Sequence, residues 1–416
     1  IAESGRPGPV LIDITRTAQS EMMTEPFEYK PCTSIISYKP RVEPKPEHVE
    51  AAAKLINAAK KPYILAGHGV LIAGAEAELN ALVDKAGIPV ATTLLGMSAM
   101  DADHPMYVGW PGMHGNYGAN VLTNSCDVLI AIGMRFDDRI TGDLATYAKQ
   151  AKVVHIEIDP AEVDKNVKAD APVVGDAKAA LQALLPLIKP AEHLEWRAEF
   201  DYYFKEEHEK ITLKDVFHEG DQIKMGEAIA MMSDKTKGEA VVVTDVGQHQ
   251  MVTNRYYRFK KRNSIVTSGG AGTMGFALPA AFGAKVAVPE REVVAVIGDG
   301  GFQMTLQELG TIAQSKLPVK IIILNNNFLG MVRQWQELFH ARRYSFVELE
   351  NPDFITIAKG FGIPGHTVTD RNLLSESLDT LLNSETPYLL EIVCEKEGNV
   401  FPMVPAGSTV TNVRLE

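Results

Sequence analysis

The residues of this chain best equipped for chemistry are Asp299 and Asn326, 27 positions apart. Asp299 lies in Gly298-Asp299-Gly300-Gly301, directly after the apolar run 293–297, which reads as a buried parallel strand. Asn326 follows a second apolar run, 319–324, with a helical pattern over 303–316 between them. One strand–helix–strand crossover therefore delivers both side chains to the carboxyl edge of a sheet, where open α/β folds bind ligands. A carboxylate, an amide oxygen and a main-chain carbonyl just beyond suit Mg²⁺, which takes one or two carboxylates plus substrate phosphates. Glycines 298, 300 and 301 let the backbone approach closely, and the following helix aims free N–H groups at an anion. A Gly-Asp-Gly on its own is more often a tight turn, but here strand, turn, helix, strand and Asn-Asn occur in the required order.

Composition bounds the partners. A net charge of −12 and a pI near 5.5 exclude wrapping a nucleic acid or lying on an anionic membrane, while leaving room for a local phosphate pocket. No stretch has the length of a membrane span or the pattern of a secretion signal. Cys32, Cys126 and Cys394 are too few and too scattered for a disulfide framework or a zinc site, so a cytoplasmic location is expected. With 416 residues, 45% of them hydrophobic, the chain can build two sizeable α/β cores.

The elements that must position the pair fall in order. Residues 1–45 read as a tail and linker: Gly5-Arg6-Pro7-Gly8-Pro9 enters a short apolar strand at 10–14, and Pro26, Pro31, Pro40 and Pro44 mark an extended connector. Residues 46–188 alternate a helix near 47–59 with strands near 63–66, 88–92, 128–132 and 153–158, which implies a doubly wound parallel sheet. Gly67-His68-Gly69 follows the first strand, but the next glycine is Gly74, so the dinucleotide fingerprint is not met and a nicotinamide site is not expected. Residues 189–218 carry Trp196, Phe200, Tyr203 and Phe204 at helical spacing, the pattern of an amphipathic linker helix. Residues 219–416 form a second alternating unit, with strands near 240–244, 265–266, 293–297, 319–324 and 388–393. The fold class is α/β, two doubly wound parallel-sheet domains joined by a helical linker.

The Gly-Asp-Gly and Asn-Asn pair resembles the thiamine diphosphate signature. Gly330-Met331-Val332-Arg333-Gln334-Trp335-Gln336, with Gly247-Gln248-His249-Gln250 and the segment from Thr267 to Gly275, narrows the resemblance to the acetohydroxyacid (acetolactate) synthase catalytic subunit, over nearly the whole chain. That family joins two pyruvates, or pyruvate and 2-ketobutyrate, with loss of CO₂ in branched-chain amino-acid synthesis, using thiamine diphosphate, Mg²⁺ and FAD. The resemblance makes Asp299, Asn326 and the Phe328 carbonyl the metal ligands. It gives thiamine diphosphate Val246, Gly247, Gln248, His249, Gly272, Met274, Gly298, Asp299, Gly300, Gly301, Asn326, Phe328, Gly330 and Met331, with Met274 as the wedge that bends the cofactor. It places Gln248, Met274, Met331 and Trp335 at the reaction, Trp335 sizing the pocket for the second 2-ketoacid and Met113 in the substrate channel. The domain 46–188 resembles the FAD-binding one, through Gly67, His68, Gly69, Thr93, Met113, His114, Gly115, Gly133, Arg135, Asp137, Arg139, Glu157, Ile158 and Asp176.

Read without the resemblance, Met113, Met274, Met331 and Trp335 are core, His68 and His114 are satisfied loop histidines, and Gln248 and His249 divide evenly between a polar helix start and hydrogen bonds to a diphosphate. Arg135 and Arg139 divide evenly between phosphate binding and an ion-pair network with Asp137, Asp138 and Asp143. The resemblance further implies that Arg6–Val10 closes an amino-terminal pyrimidine-binding domain, and that the activating glutamate, with no counterpart here, comes from that domain of a neighbouring subunit. This chain taken alone is then expected to lack turnover. A homo-oligomer and a small regulatory subunit are the expected partners, with no nucleic acid and no membrane. Two other readings stand: a pyruvate oxidase or decarboxylase, against which residues 331–336 argue, and a non-catalytic cofactor-binding subunit that needs a partner chain.

Overall fold

Each long apolar run becomes a strand buried on both faces, as a sheet covered by helices on either side requires. In the computed structural model, which describes residues 1–38 and 43–416, the first sheet holds β1 (Pro62–Ala66), β2 (Val90–Thr92), β3 (Val128–Ile132), β4 (Lys152–Glu157) and β5 (Ala171–Val174). Its strand order is β2-β1-β3-β4-β5. The second holds β6 (Val241–Thr244), β7 (Ile265–Thr267), β8 (Val293–Gly298), β9 (Lys320–Asn325), β10 (Gly365–Val368) and β11 (Tyr388–Val393), in the order β10-β11-β9-β8-β6-β7. Every pairing within both sheets is parallel. Alternation divides the side chains between layers: Tyr63 and Leu65 of β1 enter one core, Ile64 and Ala66 the opposite one. On β8, Val294 and Val296 face one layer and Val293, Ala295 and Ile297 the other. Each such fully buried Val, Leu or Ile stabilises the fold by roughly 1.5–3 kcal/mol relative to exposure.

The strand orders fix where ligands can enter. In the first sheet the chain leaves β1 for β2 on one side and returns to β3 on the other, so the crevice lies between the loops at Gly67 and Gly133. Those loops nearly touch: Gly69 N–H donates to the Gly133 carbonyl at 3.0 Å, and a Cβ on Gly69 would stand 2.6 Å from Gly133 Cα. In the second sheet the same reversal falls between β6 and β8, where Asp245-Val246-Gly247 and Gly298-Asp299 emerge.

A helix over Leu194–Glu207 joins the two halves. Its buried Trp196 and Phe200 pack under the first sheet, and the Trp196 indole N–H donates to the Pro62 carbonyl at 2.8 Å. At its far end the buried Glu207 carboxylate accepts from Asn116 Nδ2 (2.8 Å) and Tyr117 N–H (2.6 Å), and forms an ion pair with Arg255. Arg255 belongs to the helix Gln248–Tyr256 of the second unit and also donates to the His114 carbonyl at 2.6 Å. Loop, linker and second unit thus meet at one charge pair, and the carboxyl edges of the two sheets face each other beside it.

Several elements depart from the pattern read in the sequence. Residues 10–14 form no strand and pair with none among the described residues, and Val10, Leu11, Ile12 and Ile14 are exposed. Pro40 of the connector lies outside the described residues. The helix expected over 303–316 is two helices, Asp299–Thr305 and Glu308–Ser315. It begins at Asp299 because Gly300 and Gly301 carry no Cβ to strike Leu329 and Asp245, which would lie 2.6 and 2.8 Å away. The chain turns after Thr305, whose hydroxyl is held by the Gly275 carbonyl at 2.8 Å. The edge strands β5 and β10 carry no pattern that announces them. Among the described residues no helix is long and apolar enough to cross a membrane, and all three cysteines are free.

Removing one partner of a buried pair leaves the other charge uncompensated, at a cost of about 3–5 kcal/mol. Arg255→Met is therefore expected to lower the urea midpoint by about that equivalent, and adding Glu207→Gln should recover much of it. A single-variant loss under about 0.5 kcal/mol would mean the pair behaves as an exposed one.

Candidate active site

Gly298 of β8 stands in register with Leu324 of β9, so Asp299 and Asn325-Asn326 leave the sheet side by side. Asp299 and Asn326 are both buried and border a single cavity of about 50 Å³, together with Phe328 and Gly330. The two loop ends do converge. Asn351 fastens them, its Nδ2 donating to Asp299 Oδ2 (2.8 Å) and to Asn325 Oδ1 (3.0 Å). Asn327 adopts φ +56°, a left-handed turn that asparagine tolerates, and the Phe328 ring is buried with the Arg333 and Lys396 cations 5.9 and 5.2 Å away. Only its main chain is left to serve a ligand. No group of three or more His, Cys, Asp or Glu side chains gathers among the described residues, so a cation here must use amide and main-chain oxygens, a hard-ion donor set. Burial raises the Asp299 carboxyl to about 6, against the opposing pull of Asn351 and nearby N–H groups. An uncompensated carboxylate in that position is what a cation would relieve.

The phosphate side of the site differs from the expectation in one respect. Gln248 Nε2 is spent on Gln334 Oε1 and the Gly398 carbonyl, both at 2.9 Å, and its Oε1 accepts from Asn326 Nδ2 at 3.3 Å. Its side chain therefore has no free N–H for a diphosphate. What remains is the main chain: residues 248 and 249 open the helix Gln248–Tyr256, where the first N–H groups have no intrahelical acceptor, and both border the small cavity. His249 lies under Gly247 and Gly298, whose hydrogens leave room for its ring, and its buried Nε2 has no partner. Burial lowers it to about 3, so it is a neutral imidazole with one unpaired nitrogen. Free N–H groups, an unpaired buried nitrogen and a hard-ion donor set together fit a metal-bound diphosphate.

Beside this chamber lies a larger cavity of about 810 Å³ between the two sheets. Of the flavin candidates, His68, Gly69, Thr93, Met113, His114, Gly133, Arg135, Asp137, Arg139, Glu157, Ile158 and Asp176 line it. Gly67 and Gly115 do not, because each is packed into backbone: a Cβ would fall 2.3 Å from the Gly133 carbonyl and 2.4 Å from the Trp110 carbonyl, respectively. Arg135 and Arg139 make the ion pairs that spacing allowed, with Asp137 and, at 3.1 Å, Asp138. They also border the cavity. Asp176 caps the helix Ala177–Leu184, and Glu157 accepts the N–H groups of Ile158 and Asp159 while burial holds its carboxyl above the ordinary range. His114 is buried and pushed down to about 4, by burial first and Arg255 second, and His68 is bonded to the Leu95 carbonyl at 2.7 Å. Gly272, Met274, Met331 and Trp335 line the same cavity, Trp335 against Phe339 with ring centroids 4.9 Å apart.

Several participants carry no local signal. Asp245 is wholly buried after β6 and holds the Gly275 N–H at 2.9 Å, which fixes the chain just after Met274. Asn351, Gln334 and Gly398 come from distant segments, and Arg6 reaches the large cavity while paired with Asp159 and Glu162. The apolar run before Asp245 pointed toward it, and Gln334 and Arg6 lie in segments singled out for other reasons, but no signal pointed to Asn351.

Comparison with known proteins agrees with this arrangement. Residues 49–184 match the thiamine pyrophosphate enzyme central domain, and residues 245–392 the thiamine pyrophosphate enzyme C-terminal TPP-binding domain. The chain is 42% identical over 412 residues to the acetolactate synthase isozyme 2 large subunit of Escherichia coli (strain K12), covering 98% of this chain and 72% of that protein. It is 39% identical over 427 residues to the acetolactate synthase large subunit of Corynebacterium glutamicum, covering 100% and 67%. It is also 39% identical to a chloroplastic acetolactate synthase of Zea mays, over 100% of this chain and 66% of the relative.

A raised carboxyl stabilises the fold below its unfolded value and loses that contribution as pH climbs through about 6. Without divalent cations, Asp299→Asn should raise the thermal midpoint at pH 8, by the equivalent of about 3 kcal/mol at most, and leave it nearly unchanged at pH 4. Equal shifts at both pH values would mean that Asp299 is not ionising against burial.

Proposed function

The chain belongs to the acetolactate synthase large-subunit family and is a thiamine pyrophosphate-dependent transferase of branched-chain amino-acid synthesis, and from that premise we propose its substrates, cofactors and partners. It condenses two pyruvates, or pyruvate and 2-ketobutyrate, to 2-acetolactate or 2-aceto-2-hydroxybutyrate with loss of CO₂. When bound, thiamine diphosphate supplies the carbanion chemistry for decarboxylation and carbon–carbon bond formation. The main-chain N–H groups of Gln248 and His249 hold its diphosphate, with His249 Nε2 at a phosphate oxygen. Asp299, Asn326 and the Phe328 carbonyl hold Mg²⁺ against that diphosphate. Gln248 orients its neighbours rather than touching the reacting atoms.

The observation that supports this reading best is the wall shared by the two cavities: Val246, Gly247, Met274, Met331 and Val332 border both. A phosphate grip and a roomy apolar chamber meet at one mouth, where Met274 and Met331 exclude water from the reacting carbon and Trp335 limits the size of the second 2-ketoacid. The larger cavity would hold FAD, with Arg135 and Arg139 as the residues that would meet its phosphates. We assign residues 46–188 to the flavin-binding unit, 189–218 to the linker and 219–416 to the thiamine-binding unit. A homo-oligomer, a small regulatory subunit and a cytoplasmic setting complete the proposal.

In the complete enzyme, pyruvate should yield 2-acetolactate and CO₂; acetyl phosphate or acetaldehyde as the main product would instead indicate an oxidase or a decarboxylase. Trp335→Leu should shift the ratio of 2-ketobutyrate to pyruvate products by roughly tenfold. An unaltered ratio would assign Trp335 to packing alone.

A further inference from the structure

Three side-chain amides, Gln334, Gln248 and Asn326, form a line from the carboxyl-terminal tail to the candidate cation site. A primary amide has one donating and one accepting end, and its direction is set by what it meets. The main chain of Val400 meets Gln334 with both of its polar groups: its N–H donates to Gln334 Oε1 (2.9 Å), and its carbonyl accepts from Gln334 Nε2 (3.0 Å). A flipped Gln334 would oppose donor to donor and acceptor to acceptor, so its direction is fixed. Its Oε1 then requires a second donor, supplied by Gln248 Nε2, which the Gly398 carbonyl also demands. That leaves Gln248 Oε1 toward Asn326, where it accepts from Nδ2. The Asn326 amide nitrogen is thereby turned to Gln248, while its oxygen faces the other way and accepts from the Phe328 N–H at 3.3 Å.

The surroundings reinforce this order. Gln334 is fully buried and Gln248 and Asn326 nearly so, which keeps water from substituting for a missing partner. Gly330 is the residue that lets Gln248 and Asn326 meet, since a Cβ there would lie 2.2 Å from Gln248 Oε1 and 2.9 Å from Asn326 Nδ2. Arg333, one position before Gln334, donates to the Gly398 carbonyl (2.7 Å) and Asn399 Oδ1 (2.6 Å), so the tail is seated where Gln334 reads it.

We propose that Gln334 is a positioning residue: seated on the tail at Val400, it sets, together with the Gly398 carbonyl, the direction of Gln248 and, through it, presents the oxygen of Asn326 to the divalent cation. The inference rests on the thiamine diphosphate reading above. It predicts that cation affinity depends on a residue two amides removed from the ion and on the tail that orients it.

The test is a double-mutant cycle in the complete enzyme, with the Mg²⁺ dissociation constant measured by calorimetry at saturating thiamine diphosphate. Gln334→Met keeps the side-chain volume and removes its direction; Mg²⁺ binding should weaken on the order of tenfold, the worth of one oriented hydrogen bond. In an Asn326→Asp background, where either carboxylate oxygen can face the ion, Gln334→Met should change the constant less than twofold. An unchanged constant in the Asn326 enzyme, or equal weakening in both backgrounds, overturns the proposal. Should Gln334→Met not fold, Gln248→Met interrupts the same line and must give the same pair of results. Absence of Mg²⁺-dependent thiamine diphosphate binding by the unsubstituted enzyme would instead refute the cofactor reading itself.

Discussion

Everything at the candidate site depends on two sheet edges being held face to face, and a buried charge pair sits at their junction. Arg255 and Glu207 are buried together where loop 112–117, the linker helix and the helix Gln248–Tyr256 meet. A buried ion pair contributes little net stability over an apolar contact, but it tolerates few alternative arrangements because each misplacement strands a charge. The pair serves orientation more than strength. It is anchored on the helix whose first turn borders the phosphate chamber, so the geometry that joins the two units also aims the N–H groups at the site.

The second constraint is dryness. Asp299, His249 and Asn326 are buried in a chamber of about 50 Å³, and the consequences run in opposite directions: the carboxyl is held protonated to a higher pH and the imidazole is kept neutral. Both shifts have burial as their leading cause: the imidazole stays neutral, and the carboxyl, once ionised above about 6, is left without a partner that a cation would supply. The amides around them play the complementary part, since their dipoles keep the same direction whatever the pH.

Much of this was legible in the sequence, for physical reasons that differ from element to element. The central strands β1, β3, β8, β9 and β11 are buried on both faces and must be apolar, so their runs stand out, and the turns after β8 and β9 carry residue types that few structural roles demand. Two of the edge strands do not: β5 contains Pro172, which an edge tolerates, and β10 is a half-exposed Gly-His-Thr-Val with no alternation. Asp299 and Asn326 could be paired because one crossover separates them. Asn351, Gln334 with Val400, and Arg255 with Glu207 could not, because each contact joins segments brought together only by the tertiary fold. The role read for the Gln248 side chain changed for the same reason, since its true partners at Gln334 and Gly398 lie 86 and 150 residues away.

The wall common to the two cavities has a mechanical corollary. Met274 and Met331 are unbranched, half-buried side chains that reach into both spaces, and a thioether arm changes rotamer at little cost. The rotamer of each therefore shapes both cavities at once, and at that mouth neither chamber has a wall of its own.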